Sequence, residues 1–307
     1  MTTVFIDGAA GTTGLEIRER LAGRTDITLA LLPEDRRKVP AARREALNDA
    51  DFVILCLPDD ASREAVTLID NARTRVIDAS SAHRVAAGWT YGFPELPGQV
   101  EKVAAAMRVS NPGCYPTGFL ALVAPLVAAG LIPADLPLSV NATSGYSGGG
   151  KAMIAAFENG EPATAFRAYA LGLAHKHIAE MTQHAGLTHA PIFAPAVANT
   201  YRGMVVEVPL HLHALPGRPT LAAIEDVLRA AFDGSKLVSV APGDIGAVDV
   251  EDNAGTDRLT LRVCGNDAVG HARLVATLDN LGKGAGGAAV QNLNIMAGVD
   301  PVAGLVF

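Results

Sequence analysis

The feature that most constrains this chain stands at its beginning. Val4-Phe5-Ile6 runs directly into Gly8, Gly11 and Gly14, and a helical pattern with Leu15, Ile17 and Leu21 on its apolar positions follows. An apolar strand, a glycine turn and a helix start in that order make an anion cradle. The glycines permit a tight turn and close approach of a ligand, and the helix N-terminus offers N–H groups and a partial positive charge. Glycine spacing alone is a weak signal, but the flanking strand and helix give it the context of a dinucleotide pyrophosphate site. The competing reading is a tight structural turn in a nucleotide-free α/β domain.

The alternation continues. Residues 27–32 read as a second strand, 34–48 as a polar and basic stretch, and 52–57 as a third strand buried on both faces. Asp60 is placed to cap a helix over 61–72, and 75–77 and 108–110 read as further strands. Strands that alternate with helices imply right-handed crossovers and a parallel sheet. The expected fold class is α/β, opening with a doubly wound Rossmann-type domain. After Cys114 the grammar changes: 136–143, 204–213, 248–250, 259–263 and 272–278 read as strands with fewer helices between them. Val206, Val208, Leu210 and Leu212 alternate with Glu207, Pro209 and His211, which fits a sheet with one face less apolar. The expectation is an α+β catalytic and dimerisation domain with a mostly antiparallel sheet over 114–283. Residues 1–113 form the dinucleotide-binding domain, completed by a C-terminal helix within 284–307.

Composition excludes some classes. A content of 49% hydrophobic and 19% charged residues supports packed cores, and a net charge of −7 argues against a nucleic-acid surface. The longest apolar run, 119–132, is broken by Pro125 and Gly130 and falls short of the roughly 18 residues of a membrane span. The opening residues are too short an apolar stretch for a signal peptide. Three cysteines without metal-like spacing point to free thiols in a reducing cytoplasm and to no metal site.

Cofactor choice rests on Pro33-Glu34-Asp35-Arg36-Arg37-Lys38 at the end of the second strand. An acidic residue there holds a ribose 2′-hydroxyl, and Arg or Lys accommodates a 2′-phosphate. The three cations favour NADP, with a solvated loop as the alternative.

Ser110-Asn111-Pro112-Gly113-Cys114-Tyr115-Pro116-Thr117-Gly118 is the most informative stretch. Two prolines restrict the backbone, Thr117 is a candidate cap, and Cys114 sits where a turn enters an apolar helix. Helix-terminal N–H groups favour a thiolate and offer a hole for an oxyanion. Cys56 and Cys264 lie in strands and read as buried hydrophobes. In Leu173-Ala174-His175-Lys176-His177-Ile178-Ala179-Glu180, a helical register places Glu180 one turn after His177, a proton-transfer pair.

With these three segments in order, the chain resembles the N-acetyl-gamma-glutamyl-phosphate reductase family, grouped with aspartate-semialdehyde dehydrogenases in one superfamily. The resemblance spans almost the whole chain. It includes the stretches 78–84, Ser144-Gly145-Tyr146-Ser147-Gly148-Gly149-Gly150-Lys151 and 279–291. It implies an NADPH-dependent reduction of a small acyl phosphate with release of inorganic phosphate, in arginine biosynthesis. Cys114 would be the acylated nucleophile, with His177 and Glu180 handling protons. Gly8, Gly11, Thr12, Thr13 and Gly14, with Ser80, Ser147, Gly148 and Asn280, would hold the cofactor. Arg84 and Asn111 would lie near the acyl phosphate. A cytoplasmic homo-oligomer, dimer or tetramer, follows from the same resemblance. The chain departs from the longer form of the family at Ala82-His83, where that form has aspartate-phenylalanine, and at Lys176, Ala179 and Met181. Three rivals remain at this stage: an aspartate-semialdehyde dehydrogenase, a dinucleotide sensor without chemistry, and a cysteine hydrolase.

Overall fold

A computed structural model describes residues 1–159 and 164–307. They divide into two compact units. Unit 1 comprises 1–94, 98–112 and 285–305, and unit 2 comprises 95–97, 113–284 and 306–307.

Unit 1 begins β1 (Thr2–Asp7), α1 (Thr12–Leu21), β2 (Ile27–Ala30), α2 (Pro40–Asp49), β3 (Phe52–Leu55) and α3 (Asp59–Leu68). It continues through β4 (Arg75–Asp78), β5 (Thr90–Tyr91), α4 (Gln99–Ala105) and β6 (Arg108–Ser110). Its six strands lie in the order β2-β1-β3-β4-β6-β5, every pairing parallel. Alternate side chains serve opposite cores. Val4, Ile6, Phe52, Ile54 and Ile77 face one, Phe5, Val53, Leu55 and Val76 the other. Both faces are therefore dry, as parallel sheets require. Two local expectations change. The basic stretch 34–48 contains α2, which Pro40 starts at its first turn. The helix expected over 61–72 spans Asp59–Leu68, with Pro58 at its N-cap and Asp60 paired to Arg63 at 2.9 Å. It stops early because the Asn71 carboxamide oxygen takes the N–H groups of Arg73 and Thr74 and turns the chain.

Unit 2 contains α5 (Cys114–Ala128), β7 (Ser139–Gly145), α6 (Gly150–Glu158), β8 (Phe166–Ala168), α7 (Ile178–Ala185) and β9 (Ile192–Ala198). β10 (Met204–His211), α8 (Leu221–Ala231), β11 (Val238–Val240), β12 (Leu259–Asn266) and β13 (His271–Leu278) follow. The chain then rejoins unit 1 as α9 (Gly287–Ala297), packed against α1, α4 and β4. The seven-stranded sheet of unit 2 runs β11-β12-β13-β10-β7-β9-β8 and is mixed: among the described residues β12-β13, β13-β10, β10-β7 and β9-β8 pair antiparallel. β7 pairs with β9, and β11 with β12, in parallel. The first pair is joined by a crossover through α6, β8 and α7, and a crossover is what parallel neighbours need. The strand expected at 248–250 is absent; Val238–Val240 forms a strand upstream of it instead. α5, all but enclosed, packs on β10, β12 and β13 and lies beside α7 and α8. Among the described residues no helix is long and apolar enough to cross a membrane.

Candidate active site

In unit 2 the site is built at the start of two helices. Cys114 is the first residue of α5, and Gly113 before it supplies no side-chain cap. Thr117 is not the cap: it lies inside the first turn, where its hydroxyl donates to the Gly113 carbonyl at 2.9 Å. The Gly113 N–H donates to Glu180 Oε2 at 3.2 Å. Glu180 is 1% exposed and occupies the first turn of α7, while His177, 6% exposed, is the N-cap residue of that helix. The carboxylate is thus tied to the peptide that precedes the thiol, and the imidazole stands at the same helix end.

Rings enclose this corner. Tyr115 lies 5.9 Å from the His177 ring and 6.2 Å from that of His175, and the two imidazoles are 4.6 Å apart. The Tyr115 hydroxyl donates to the Ala196 carbonyl at 3.0 Å and accepts from Tyr169 at 3.2 Å. Burial is the first cause that raises both phenols, Tyr115 well above its ordinary range and Tyr169 to about 12. Both stay protonated in neutral solution.

A π-helical turn, Gly282–Gly286, closes another side. A Cβ on Gly284 would lie 2.8 Å from Cys114 Cβ and 3.0 Å from the Asp279 carbonyl oxygen, so only glycine fits against the thiol-bearing residue. π-turns are rare and concentrate at functional sites. Asp279, fully buried, anchors the turn by accepting from the N–H groups of Leu281 at 2.7 Å and Gly255 at 2.6 Å. Lys283, enclosed like Asp279, meets both oxygens of Glu95 at 2.7 and 2.8 Å. Asn280 donates to Ser147 Oγ at 2.9 Å and accepts from the Gly203 N–H at 2.9 Å, so Ser147, Gly148 and Asn280 come together.

Unit 1 carries the glycine loop. Gly8 has φ +90°, and a Cβ there would lie 2.2 Å from the Cys56 carbonyl oxygen; one on Gly14 would lie 2.5 Å from that of Gly8. Thr12 begins α1, and Gly11 gives it no side-chain cap. Gly8, Ala9, Ala10 and Gly11 line a cavity of about 590 Å³ whose wall also includes Arg18, Glu34, Arg37, Lys38 and Arg43. An uncapped helix start and cations in the wall of one cavity fit a dinucleotide carrying an extra phosphate. Arg37 pairs with Glu34 at 2.6 Å and Arg43 with Asp7 at 2.8 Å, whereas Arg36 points to Glu45 at 3.7 Å and does not line the cavity.

Ser80, Arg84 and Asn111 are also gathered in unit 1. The Ser80 hydroxyl donates to Asp78 at 2.7 Å. Arg84 Nε donates to the Asn111 carbonyl at 3.0 Å and its Nη2 to the Ala79 carbonyl at 3.2 Å. Asn111 Nδ2 donates to the Ala285 carbonyl at 2.9 Å, and its Oδ1 accepts from Asn292 at 3.1 Å. Much of the polar capacity of these residues is therefore used in holding backbone.

Several members of these clusters carry no readable signal in one sequence. Tyr169, Glu95 and Lys283 look like ordinary residues of loops, and their partners lie 54 and 188 positions away. Gly284 had a signal, since it stands in the glycine-rich run 282–287.

Comparison with known proteins gives a consistent picture. Residues 3–104 match the model described as semialdehyde dehydrogenase, NAD binding domain, and residues 114–280 match semialdehyde dehydrogenase, dimerisation domain. N-acetyl-gamma-glutamyl-phosphate reductase 2 of Pseudomonas putida is 50% identical over 302 residues, covering 96% of each chain. N-acetyl-gamma-glutamyl-phosphate reductase of Brucella anthropi is 51% identical over 305 residues, covering 96% of this chain and 98% of its own. A crystal structure of aspartate semialdehyde dehydrogenase II from Vibrio cholerae superimposes with a TM-score of 0.74 over 97% of this chain and 98% of its own. At 19% identity it speaks for the fold alone.

Proposed function

The chain belongs to the semialdehyde dehydrogenase family, and we propose that it reduces N-acetyl-gamma-glutamyl phosphate to N-acetylglutamate 5-semialdehyde and inorganic phosphate, with NADPH as reductant. This is the activity for which its half-identical relatives are named, and it places the chain in arginine biosynthesis. The observation that carries the reading is the joint helix start of unit 2. Cys114 opens α5, and Glu180 of α7 accepts the N–H of the residue before it.

In this reading the Cys114 thiolate attacks the γ-acyl carbon. A C–S bond forms, the C–O bond to phosphate breaks, and phosphate leaves with the electron pair. The uncapped N–H groups at the start of α5 stabilise the oxyanion of that step. NADPH, when bound, supplies the hydride that reduces the thioester carbon. His177 protonates the oxygen of the resulting thiohemiacetal and takes that proton back as the C–S bond breaks and the aldehyde departs. Glu180 fixes the turn that carries Cys114 and the first turn of α7. The loop from Gly8 to Gly14 holds the pyrophosphate, and Lys38 and Arg37 take the 2′-phosphate. Ser147, Gly148 and Asn280 serve the cofactor as a preformed hydrogen-bonded group, with Ser80 as a further contact. Arg84 and Asn111 serve the acyl phosphate, Arg84 through the charge and planar donor geometry of its guanidinium. The enzyme works in the cytoplasm as a homo-oligomer, a dimer or tetramer.

The test is phosphate-dependent reduction of NADP in the reverse direction, with N-acetylglutamate 5-semialdehyde and aspartate semialdehyde offered side by side. Turnover of the first and not the second is expected. Preference for the second would transfer the chain to the aspartate branch of the family.

A further inference from the structure

The proposed chemistry uses one imidazole of the His175-Lys176-His177 run and leaves the other idle, yet the idle one is held by the main chain and by a set of rings. His175 Nδ1 accepts the main-chain N–H of His177 at 3.1 Å, and the His175 carbonyl accepts the N–H of Ile178 at 3.1 Å. Its ring stands edge-on to Tyr169 at 5.8 Å and to Phe193 of β9 at 5.1 Å, with Tyr115 of α5 at 6.2 Å. A ring nitrogen that accepts an N–H carries no proton, so this geometry requires a neutral imidazole with its hydrogen on Nε2. Among the described residues the titratable groups around it include the Tyr115 and Tyr169 phenols, the His177 ring and, on its own segment, Lys176. Cys114 interacts electrostatically with both phenols.

The contact has a specific consequence. A side-chain acceptor that takes the N–H two residues on closes a small ring and sets the backbone of the residue between and the residue after. Asn and Asp do the same in Asx-turns. Here the residue so set is His177, whose φ of −77° and ψ of −12° already match the helix it caps. α7 then carries Glu180 one turn later, and Glu180 in turn holds Gly113. We propose that neutral His175 is a positioning residue: its Nδ1 fixes the turn that presents the His177 ring, and protonation of His175 releases that turn. The proposal rests on His177 as the proton-transfer group. It adds a second imidazole to the acid limb of the pH profile, one that never touches substrate.

The experiment combines ¹⁵N NMR of the histidines in the intact wild-type enzyme with kinetics of His175→Phe and His175→Asn. Phenylalanine keeps the ring's packing and removes the acceptor; asparagine restores an acceptor of Asx-turn geometry. The expected results are an unprotonated Nδ1 at His175 in neutral solution and a turnover about tenfold lower in His175→Phe, the scale of one orienting hydrogen bond. The NADPH Michaelis constant should stay unmoved, the acid limb of kcat should change shape, and His175→Asn should recover most of the loss. A protonated Nδ1, full turnover in His175→Phe, or equal impairment of both variants would overturn the proposal. The tautomer measurement stands even if His175→Phe fails to fold. Failure of the underlying reading would show separately, as turnover retained in His177→Asn.

Discussion

The glycine loop of unit 1 and the Cys114 corner of unit 2 both use the N-terminus of a helix, and they use it in opposite ways. At α1 the proposed binding groups are main-chain N–H groups and the cations Arg18, Arg37, Lys38 and Arg43 in the wall of an open cavity of about 590 Å³. At α5 the helix start is enclosed by Glu180, Tyr115 and the π-turn at Gly284. A ligand that arrives and leaves whole needs a cradle. A covalent step needs its atoms fixed to fractions of an ångström, because small displacements cost orders of magnitude in rate. The difference predicts that unit 2 responds to substitution in turnover and unit 1 in affinity.

The strongest way to break that contrast is His177→Asn. Loss of a general acid/base lowers turnover by roughly 10²–10⁴-fold, while binding of 2′,5′-ADP, read by calorimetry, should not change. A shift in both would place His177 in the scaffold. Next comes Gly284→Ala, whose added carbon would lie 2.8 Å from Cys114 Cβ. Displacement of the thiol should lower turnover by about 10²-fold, with an altered rate of iodoacetamide labelling at Cys114. Wild-type kinetics in this variant would show that the π-turn yields freely.

Arg84→Leu tests a residue of unit 1 that is proposed to touch the reacting group. Loss of a charge-assisted hydrogen bond should raise the phosphate Michaelis constant roughly 10–100-fold in the reverse reaction, and Arg84→Lys should recover only part. Since Arg84 also holds the carbonyls of Ala79 and Asn111, the melting temperature must be measured alongside. A lowered melting temperature with an unchanged phosphate constant would assign Arg84 to structure alone. Lys38→Ala is milder, with about tenfold weaker NADPH binding and unchanged NADH binding. Equal loss for both cofactors would remove Lys38 from the 2′-phosphate.

The smallest effect distinguishes the thiols. Burial first, then the carboxylates of Asp78 and Asp7, push the Cys56 thiol up to about 12, which keeps it protonated near neutral pH. Burial raises Cys264 as well, against the pull of Arg262 and Arg273. Brief alkylation near neutral pH followed by peptide mapping should therefore mark Cys114 first. Earlier labelling of either other cysteine would count against Cys114 as the nucleophile.

What could be read in advance followed from local rules. A strand, a glycine turn and a helix are contiguous, so the parallel sheet of unit 1 and its glycine loop were legible in residues 4–21 and in the alternation that follows. Cys114 was legible for the same reason, since the prolines and glycine that shape its turn are its neighbours in the chain. The expectation of a mostly antiparallel sheet in unit 2 did not foresee the parallel pairs β7-β9 and β11-β12, because nothing local distinguishes a strand that will pair in parallel across a crossover from one that will not. β11 was missed because a three-residue strand in a loop-rich stretch has too few residues to show a period.

Alone, then, the sequence determined the α/β opening, the glycine loop and the candidate nucleophile, because each is set by residues within a turn or two of one another. Only the tertiary structure decided what surrounds the thiol. Gly113 meets Glu180 across 67 positions, Asn280 meets Ser147 across 133, and Lys283 meets Glu95 across 188. Such pairs leave no periodicity to read. Buried carboxylates, ammonium groups and amides are stable only where a partner satisfies them, and in this chain the partners are delivered by the packing of whole helices and strands.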